Sequence, residues 1–371
     1  MRITIVQGAF FPVPPIRGGA VEKVWFALGK EFATRGHEVT HISRAYRDLP
    51  EREVIAGVQH VRVSGFDQPA SMLRLKLLDL IYSLRVRGVL PSADILVTNT
   101  FWLPLLVRDT RYGRLYLHVQ RVPKGQMRWY GGAARLLAVS RAIEQAILAE
   151  APALRAKVRV LPNCLPFDFP DALEYSRPNQ MLFVGRIHPE KGLTLFLRAL
   201  ALLPESLLRE WRLEIIGPHE TAQGGGGTAF LAELQDVARE LPLQVEWTGP
   251  VFEERALSEH YRRAAVFVYP SVAETGEALP LAPLEAMANG CVPLVSRLAC
   301  FEDYIEPGVN GFVFDHRAPQ PEETLAAALR TCLEMPGADR TRLARAAHER
   351  AREFAPGPVA ERYLADFASL P

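Results

Sequence analysis

Two pairs of charged side chains have a spacing that could do chemistry. Arg186 and Lys191 lie in Val184-Gly185-Arg186-Ile187-His188-Pro189-Glu190-Lys191-Gly192. An arginine offers a planar fork of donors and a lysine a point charge, and both suit a diphosphate. Where such a segment follows a strand and opens a helix, the positive end of the helix dipole adds to them. Lys191 is the last of six lysines, in a chain that otherwise uses arginine after residue 157. The plainer reading is two solvated charges at a helix start. The second pair is Glu277 and Glu285, in Glu277-Ala278-Leu279-Pro280-Leu281-Ala282-Pro283-Leu284-Glu285-Ala286-Met287-Ala288. Glu277 falls in a loop before a helix that begins near Pro280, with proline at the first helical position. A carboxylate there reaches a ligand held at the helix N-terminus. Glu285, about one and a half turns in, can accept two vicinal hydroxyls. It is embedded in an apolar run, where a carboxylate needs a partner. A third element is Pro12-Val13-Pro14-Pro15-Ile16-Arg17-Gly18-Gly19-Ala20. A Gly-Gly pair before a helix lets backbone approach a ligand closely, or simply makes a tight turn.

The elements that must position these residues alternate strand with helix. In the first half, residues 3–6, 39–43, 95–99, 115–119, 136–139 and 158–162 read as strands, and 57–64 as an edge strand. Helices span 20–34, with Gly36 just past the end, and 72–90. In the second half, strands fall at 181–185, 213–217, 245–249, 266–270, 292–296 and 311–314, and helices at 191–203, 228–240, 253–264 and 281–289. Three helices finish the chain, separated at Pro336-Gly337 and at Pro356-Gly357-Pro358. Non-alternating apolar strands between helices imply parallel sheets covered on both faces. Two such series imply two doubly wound, Rossmann-like α/β domains, 1–165 and 178–353, split by a segment holding Pro162, Pro166, Pro170 and Pro178. Ligands of open α/β sheets bind beyond the carboxyl ends of the strands, so facing domains would wall one cleft. Gly224-Gly225-Gly226-Gly227 reads as a flexible, solvent-exposed loop rather than a lid. The helix at 72–90 mixes leucines with Arg74, Lys76, Arg85 and Arg87; a core helix with a basic edge is preferred over one resting on an anionic membrane.

At 371 residues, 49% hydrophobic and 23% charged, the chain has the mix of a soluble globular enzyme of two to three domains. Disordered, collagen-like and coiled-coil classes are excluded. A net charge of +1 gives no global basic excess for nucleic acid. The charge is uneven: residues 1–170 carry 24 Lys+Arg against 13 Asp+Glu, and residues 171–371 carry 19 against 29. Either the lobes attract each other, or the basic one faces an anionic membrane surface or phosphorylated acceptor. Four scattered cysteines, no signal-peptide pattern and no long apolar run point to a reduced cytoplasmic protein, with peripheral contact at the inner membrane face as the alternative site.

Together the three motifs make the chain resemble a family 4 glycosyltransferase of the GT-B type. That family carries a Gly-Gly loop after its first strand, a G-R-x-x-x-x-K-G element and an E-x7-E signature ending in L-E-A-M-A, and all three occur here in that order. Val160-Leu161-Pro162-Asn163 and Ala138-Val139-Ser140 are further likenesses. The Pro12 to Ala20 stretch is similar to members that work on spore-coat and cell-surface polysaccharides. The resemblance implies a GT-B fold, a last helix at 354–371 crossing back to the first domain, and retaining transfer of a sugar from a nucleoside diphosphate, UDP first and GDP second. The acceptor would be a hydroxyl of a glycan, a lipid-linked molecule or a small molecule. It implies that Arg186 and Lys191 hold the donor diphosphate, Glu285 the ribose hydroxyls, and Glu277 the transferred sugar, with Ala278, Leu279 and Leu281 lining the donor. Gly18 and Gly19 would pack backbone against the diphosphate, and His118 would reach the sugar. No cofactor or metal is expected, because the leaving phosphate can take the acceptor proton, and no D-x-D occurs in the chain. Ala278 and Pro280 stand where the family usually has glycines, and Pro280 brings no N–H. Two rival readings remain: a nucleotide-sugar epimerase of related architecture, and a catalytically degenerate protein that binds nucleotide or glycan.

Overall fold

The computed structural model describes residues 1–371 apart from Gly18, Ala70, Asp168, Asp171 and Pro371. The chain divides into two compact units, Met1–Phe167 with Phe354–Pro371, and Asp168–Glu353. Unit 1 runs β1 (Arg2–Val6), α1 (Ala20–Thr34), β2 (Glu38–Arg44), β3 (Arg52–Ile55), β4 (Val58–Val63), α2 (Met72–Val89), β5 (Ile95–Thr98), α3 (Leu103–Leu106), β6 (Arg114–Val119), β7 (Arg135–Ala138), α4 (Arg141–Glu150) and β8 (Val158–Val160). Unit 2 runs β9 (Gln180–Val184), α5 (Leu193–Leu200), α6 (Glu205–Leu208), β10 (Arg212–Ile216), α7 (Thr228–Arg239), β11 (Gln244–Gly249), α8 (Glu254–Arg263), β12 (Val266–Tyr269), α9 (Leu281–Ala288), β13 (Val292–Ser296), β14 (Phe312–Phe314), α10 (Pro321–Leu333) and α11 (Gly337–Arg352). The last helix, α12 (Pro356–Ser369), belongs to unit 1.

The first sheet has the order β3-β4-β2-β1-β5-β6-β7-β8 and the second β11-β10-β9-β12-β13-β14. All pairings are parallel except β3 with β4. Apolar strands set between helices account for the parallel layers. The hairpin corrects the expectation for residues 57–64. This segment is β4, an inner strand with β2 on one side and β3 on the other. The edge is β3, whose mixed sequence Arg-Glu-Val-Ile leaves every second residue exposed. In unit 1, Ile3, Ile5, Val97, Tyr116 and Leu137 pack with Trp25, Leu28 and Phe32 of α1 and with Val359, Tyr363 and Phe367 of α12.

Further differences concern punctuation. The segment 191–203 does not open as one helix: residues Pro189–Lys191 form a 3-10 turn, Gly192 takes φ +73°, and α5 begins at Leu193. A Cβ at Gly192 would lie 2.0 Å from the Pro270 carbonyl oxygen, so glycine is required on both counts. Pro280 is the N-cap of α9 rather than its first residue. Pro356-Gly357-Pro358 forms the first turn of α12, where missing N–H groups cost nothing, instead of separating two helices. The tetraglycine is not a free loop. Gly225, Gly226 and Gly227 donate to the carbonyls of Glu220, Ile187 and His219, and Gly225 is buried.

The helix at 72–90 also departs from the preferred reading. The side of α2 turned to the protein carries Asp79, Tyr82, Ser83 and Val86, while Leu73, Leu77 and Leu84 are exposed and Leu75, Leu78 and Leu80 half-buried. Among the described residues, no helix is long and apolar enough to cross a membrane. The four cysteines are free and buried.

Candidate active site

Unit 2 brings Lys191 and Glu277 together although they are far apart in the chain. The 3-10 turn after β9 delivers Lys191, and the loop after β12 delivers Glu277, both beyond the carboxyl ends of neighbouring strands. The Lys191 Nζ donates to Glu277 Oε1 at 2.5 Å and to the Tyr269 hydroxyl at 3.0 Å. Both charged side chains are nearly enclosed, at 9% and 7% exposure, so each is the other's main compensation for lost water. The same carboxylate oxygen accepts from the Tyr269 hydroxyl and from Ser271 Oγ, each at 2.9 Å. Glu277 is therefore locked in place by three donors. Among the described residues, Lys191 spends two of its three N–H donors here.

Tyr269 ends β12 and stacks on Phe183 of β9, with ring centroids 5.9 Å apart. Burial, and then the Glu277 carboxylate, push its phenol well above the ordinary range, with Arg186 working the other way. It stays a neutral donor. The single Ser271 hydroxyl proton is shared with the Glu190 carbonyl, 3.2 Å away, and the Val272 N–H donates to that carbonyl at 2.9 Å, which ties the Glu277 loop to the Lys191 turn. Tyr269 and Ser271 were missed from the sequence. Their signal was position, since both stand at the carboxyl end of a buried strand, where open α/β sheets bind ligands.

Arg186 is half-exposed. Its guanidinium donates to the Gly224 carbonyl and to Glu190 Oε1, both at 2.7 Å. The pinned tetraglycine turn thus holds the Arg186 guanidinium in place. Glu285 lies just over one turn into α9 and accepts from the buried Tyr261 hydroxyl at 3.0 Å, which supplies the partner its apolar surroundings demand. Ala278 and Leu281 are half-buried and Leu279 is buried, all between Glu277 and the start of α9. The carbonyl of Pro280 accepts from Tyr304 at 3.3 Å, so this N-cap is held through its oxygen.

The other predicted residues lie in unit 1. Gly18 is outside the described residues. Gly19, at φ +97°, is the N-cap of α1, and a Cβ there would lie 2.2 Å from Glu22 Oε2. Glu22 is buried in the first turn, where burial raises its pKa; the sequence reading passed over it. His118 is in the core. Trp25 Nε1 donates to its Nδ1 at 2.9 Å, the Tyr363 hydroxyl lies 3.2 Å from its Nε2, and the Gln120 amide lies 2.7 and 3.1 Å from the two nitrogens. Burial lowers its pKa to about 3, so the ring is neutral. Gln120 and Asn163 exchange amide hydrogen bonds of 2.9 Å in both directions.

Comparison with known proteins identifies the family. The family described as Glycosyl transferases group 1 matches residues 166–352, and Glycosyltransferase Family 4 matches residues 17–169. A D-inositol 3-phosphate glycosyltransferase of Kineococcus radiotolerans is 36% identical over 198 residues, which is 50% of this chain and 42% of that protein. A lipopolysaccharide 1,2-N-acetylglucosaminetransferase of Salmonella typhimurium is 26% identical over 132 residues, 36% of this chain and 34% of that protein. The chain thus spans less than half the length of these curated relatives. Among solved structures, sucrose-phosphate synthase from Thermosynechococcus elongatus superimposes with a TM-score of 0.77 at 19% identity, covering 100% of both chains. Anabaena HepE in complex with UDP-glucose gives 0.70 at 19% identity, also with 100% of both covered. At these identities the likeness is one of fold. On the two family matches and these folds, the chain belongs to family 4 of the glycosyltransferases and has their GT-B architecture.

Proposed function

We propose that the protein transfers a sugar from a nucleoside diphosphate sugar to an acceptor hydroxyl, with retention at the anomeric carbon and without a metal. The observation that carries this reading is the enclosed Lys191–Glu277 pair at the strand ends of unit 2, with Arg186 aimed by the glycine turn beside it. Lys191 and Arg186 stabilise negative charge as it develops on the departing diphosphate, work that needs preorganised donors rather than a strong base. Glu277, immobilised by three donors, accepts from hydroxyls of the transferred sugar and fixes its orientation. Ala278, Leu279 and Leu281 form the wall beside it. The departing phosphate takes the proton of the attacking hydroxyl on the same face of the sugar. Glu285, braced by Tyr261, accepts from the two ribose hydroxyls. His118 has its nitrogens engaged and acts within unit 1 as the neutral support of Gln120 and Asn163. UDP is the first choice of nucleotide and GDP the second. The acceptor is a glycan, lipid-linked or small hydroxyl compound.

The test is thermal unfolding with UDP, GDP and ADP in metal-free buffer, followed by product analysis with the matching sugar nucleotides. A ligand that binds only the folded chain raises the midpoint by mass action. A rise with one nucleotide, and a product whose anomeric configuration by NMR matches the donor, is the expected result. No rise with any nucleotide or sugar nucleotide overturns the reading in favour of a degenerate transferase. Glu285→Gln is expected to weaken nucleotide binding roughly tenfold, about 1.4 kcal/mol. The amide keeps an acceptor for Tyr261, so the unliganded midpoint should hardly move, and calorimetric titration separates the two effects.

A further inference from the structure

We propose that the outer face of α2 is a docking surface for an anionic lipid bilayer. The helix is built inside out. Its inward side carries Asp79, Tyr82 and Ser83, while Leu73, Leu77 and Leu84 are 81%, 55% and 50% exposed. At 100° per residue, Leu73, Leu77, Leu80 and Leu84 fall on one stripe, spaced i, i+4, i+7 and i+11. Basic residues flank that stripe on both sides: Lys76 and Arg87 along one border, Arg74 and Arg85 along the other. The helix's single acid, Asp79, is turned inward, where it accepts from the backbone N–H groups of Phe101 and Trp102 at 3.1 Å. A core helix would show the reverse pattern.

An apolar stripe between two cationic borders matches the cross-section of a bilayer surface. The leucines sit at the acyl boundary, and the long basic side chains reach back to the headgroups. The charge selects anionic lipid, consistent with the excess of 24 Lys+Arg over 13 Asp+Glu in residues 1–170. Aromatic rings continue the surface at one end. Lys76 Nζ lies 4.8 Å from the Phe101 ring, and Phe101 packs edge-on against Trp129, which is 51% exposed. Tryptophan favours the level of the headgroups. The helix lies on the membrane and does not cross it. The proposal does not depend on the donor site.

The experiment is sedimentation of the full chain with phosphatidylcholine vesicles, with and without phosphatidylglycerol, at low and raised salt. The expected result is binding only to the phosphatidylglycerol vesicles, weakened by salt. Leu73→Gln/Leu77→Gln/Leu84→Gln should reduce it roughly tenfold or more. All three side chains are exposed, so the unfolding midpoint should hold. Arg74→Glu/Arg87→Glu is the second variant; among the described residues neither arginine enters an ion pair, and the same loss is expected. No binding to the anionic vesicles overturns the proposal, as does binding that both variants leave unchanged. Self-association of the wild type that the leucine variant abolishes, without vesicle binding, also overturns it and assigns the face to a second copy of the chain. None of these readouts uses transferase activity, so failure here and failure of the donor-site reading are distinguishable.

Discussion

Lys191→Met is expected to lower turnover by roughly 10²–10³-fold, the scale of removing a preorganised donor from a developing anion. The same substitution carries a second cost, because the pair is enclosed. Methionine leaves the Glu277 carboxylate with two neutral donors and no cation, and losing one member of a buried ion pair costs about 3–5 kcal/mol. Activity alone therefore cannot separate a catalytic effect from a folding one. The double variant Lys191→Met/Glu277→Gln does so. With both charges gone, the glutamine oxygen still accepts from Tyr269 and Ser271, so much of the lost stability should return. Turnover should not return, since neither the cation proposed for the diphosphate nor the carboxylate proposed for the sugar is restored. Denaturant unfolding and initial rates on the four proteins of the cycle give the two coupling terms. Near-wild-type turnover in Lys191→Met, or activity that recovers with stability in the double variant, would remove Lys191 from the donor-site assignment.

The candidate site was legible to the extent that short motifs carry it. Arg186, Lys191, Glu277 and Glu285 were visible because each stands at a fixed offset from a strand end or a helix start. Their mutual geometry was not visible. That Lys191 spends its charge on Glu277 follows from β9 and β12 being neighbours, a long-range pairing that no local pattern encodes. Tyr269 and Ser271 were invisible for the same reason: a tyrosine ending an apolar strand reads as core until its hydroxyl is seen on a carboxylate.

The fold was more legible than its punctuation. Buried parallel strands give long apolar runs, and the strand–helix order emerged from them. The edge strand β3 did not, because a short half-exposed strand alternates polar and apolar residues like a loop. The tetraglycine misled through composition. Glycines confer flexibility when their backbone is free, but here their N–H groups are spent on Ile187, His219 and Glu220. The helix α2 misled through its leucines, which are normally a core signal; only the structure shows which side of a helix faces inward.

Acidification below pH 6.5 is expected to destabilise unit 1, and His60 accounts for a separable share of that loss. His60 of β4 sits opposite His41 of β2, with the rings stacked 5.4 Å apart beneath Phe26 of α1. All four ring nitrogens are buried without a hydrogen-bond partner, so neither ring can take a proton and keep it hydrated. Burial lowers the His60 pKa to about 4, with the Arg62 guanidinium adding to the shift and Glu53 opposing it. Burial likewise pushes His41 well below its ordinary value. The unfolded chain, with histidines near 6.5, then binds more protons than the folded one between pH 6.5 and 4. Stability is complete above 6.5 and falls as the pH drops through that window, by about 3 kcal/mol for His60 alone. Burial raises Asp79 to about 6 and raises Glu22, and these two carboxyls act in the opposite sense over part of the range. The informative quantity is therefore a difference. In His60→Phe, a ring of similar shape keeps the stacking on His41 and the tilted contact with Phe26 but cannot be protonated. Its stability at pH 7.5 should lie close to the wild type, and by pH 4.5 it should exceed the wild type by about 2–3 kcal/mol. Urea unfolding across the pH range reads this directly, and hydrogen exchange should place the early opening in β2, β4 and α1. Parallel pH curves for the two proteins would show that the His60 ring is reached by water or a hydrogen-bond partner and is not a buried neutral base.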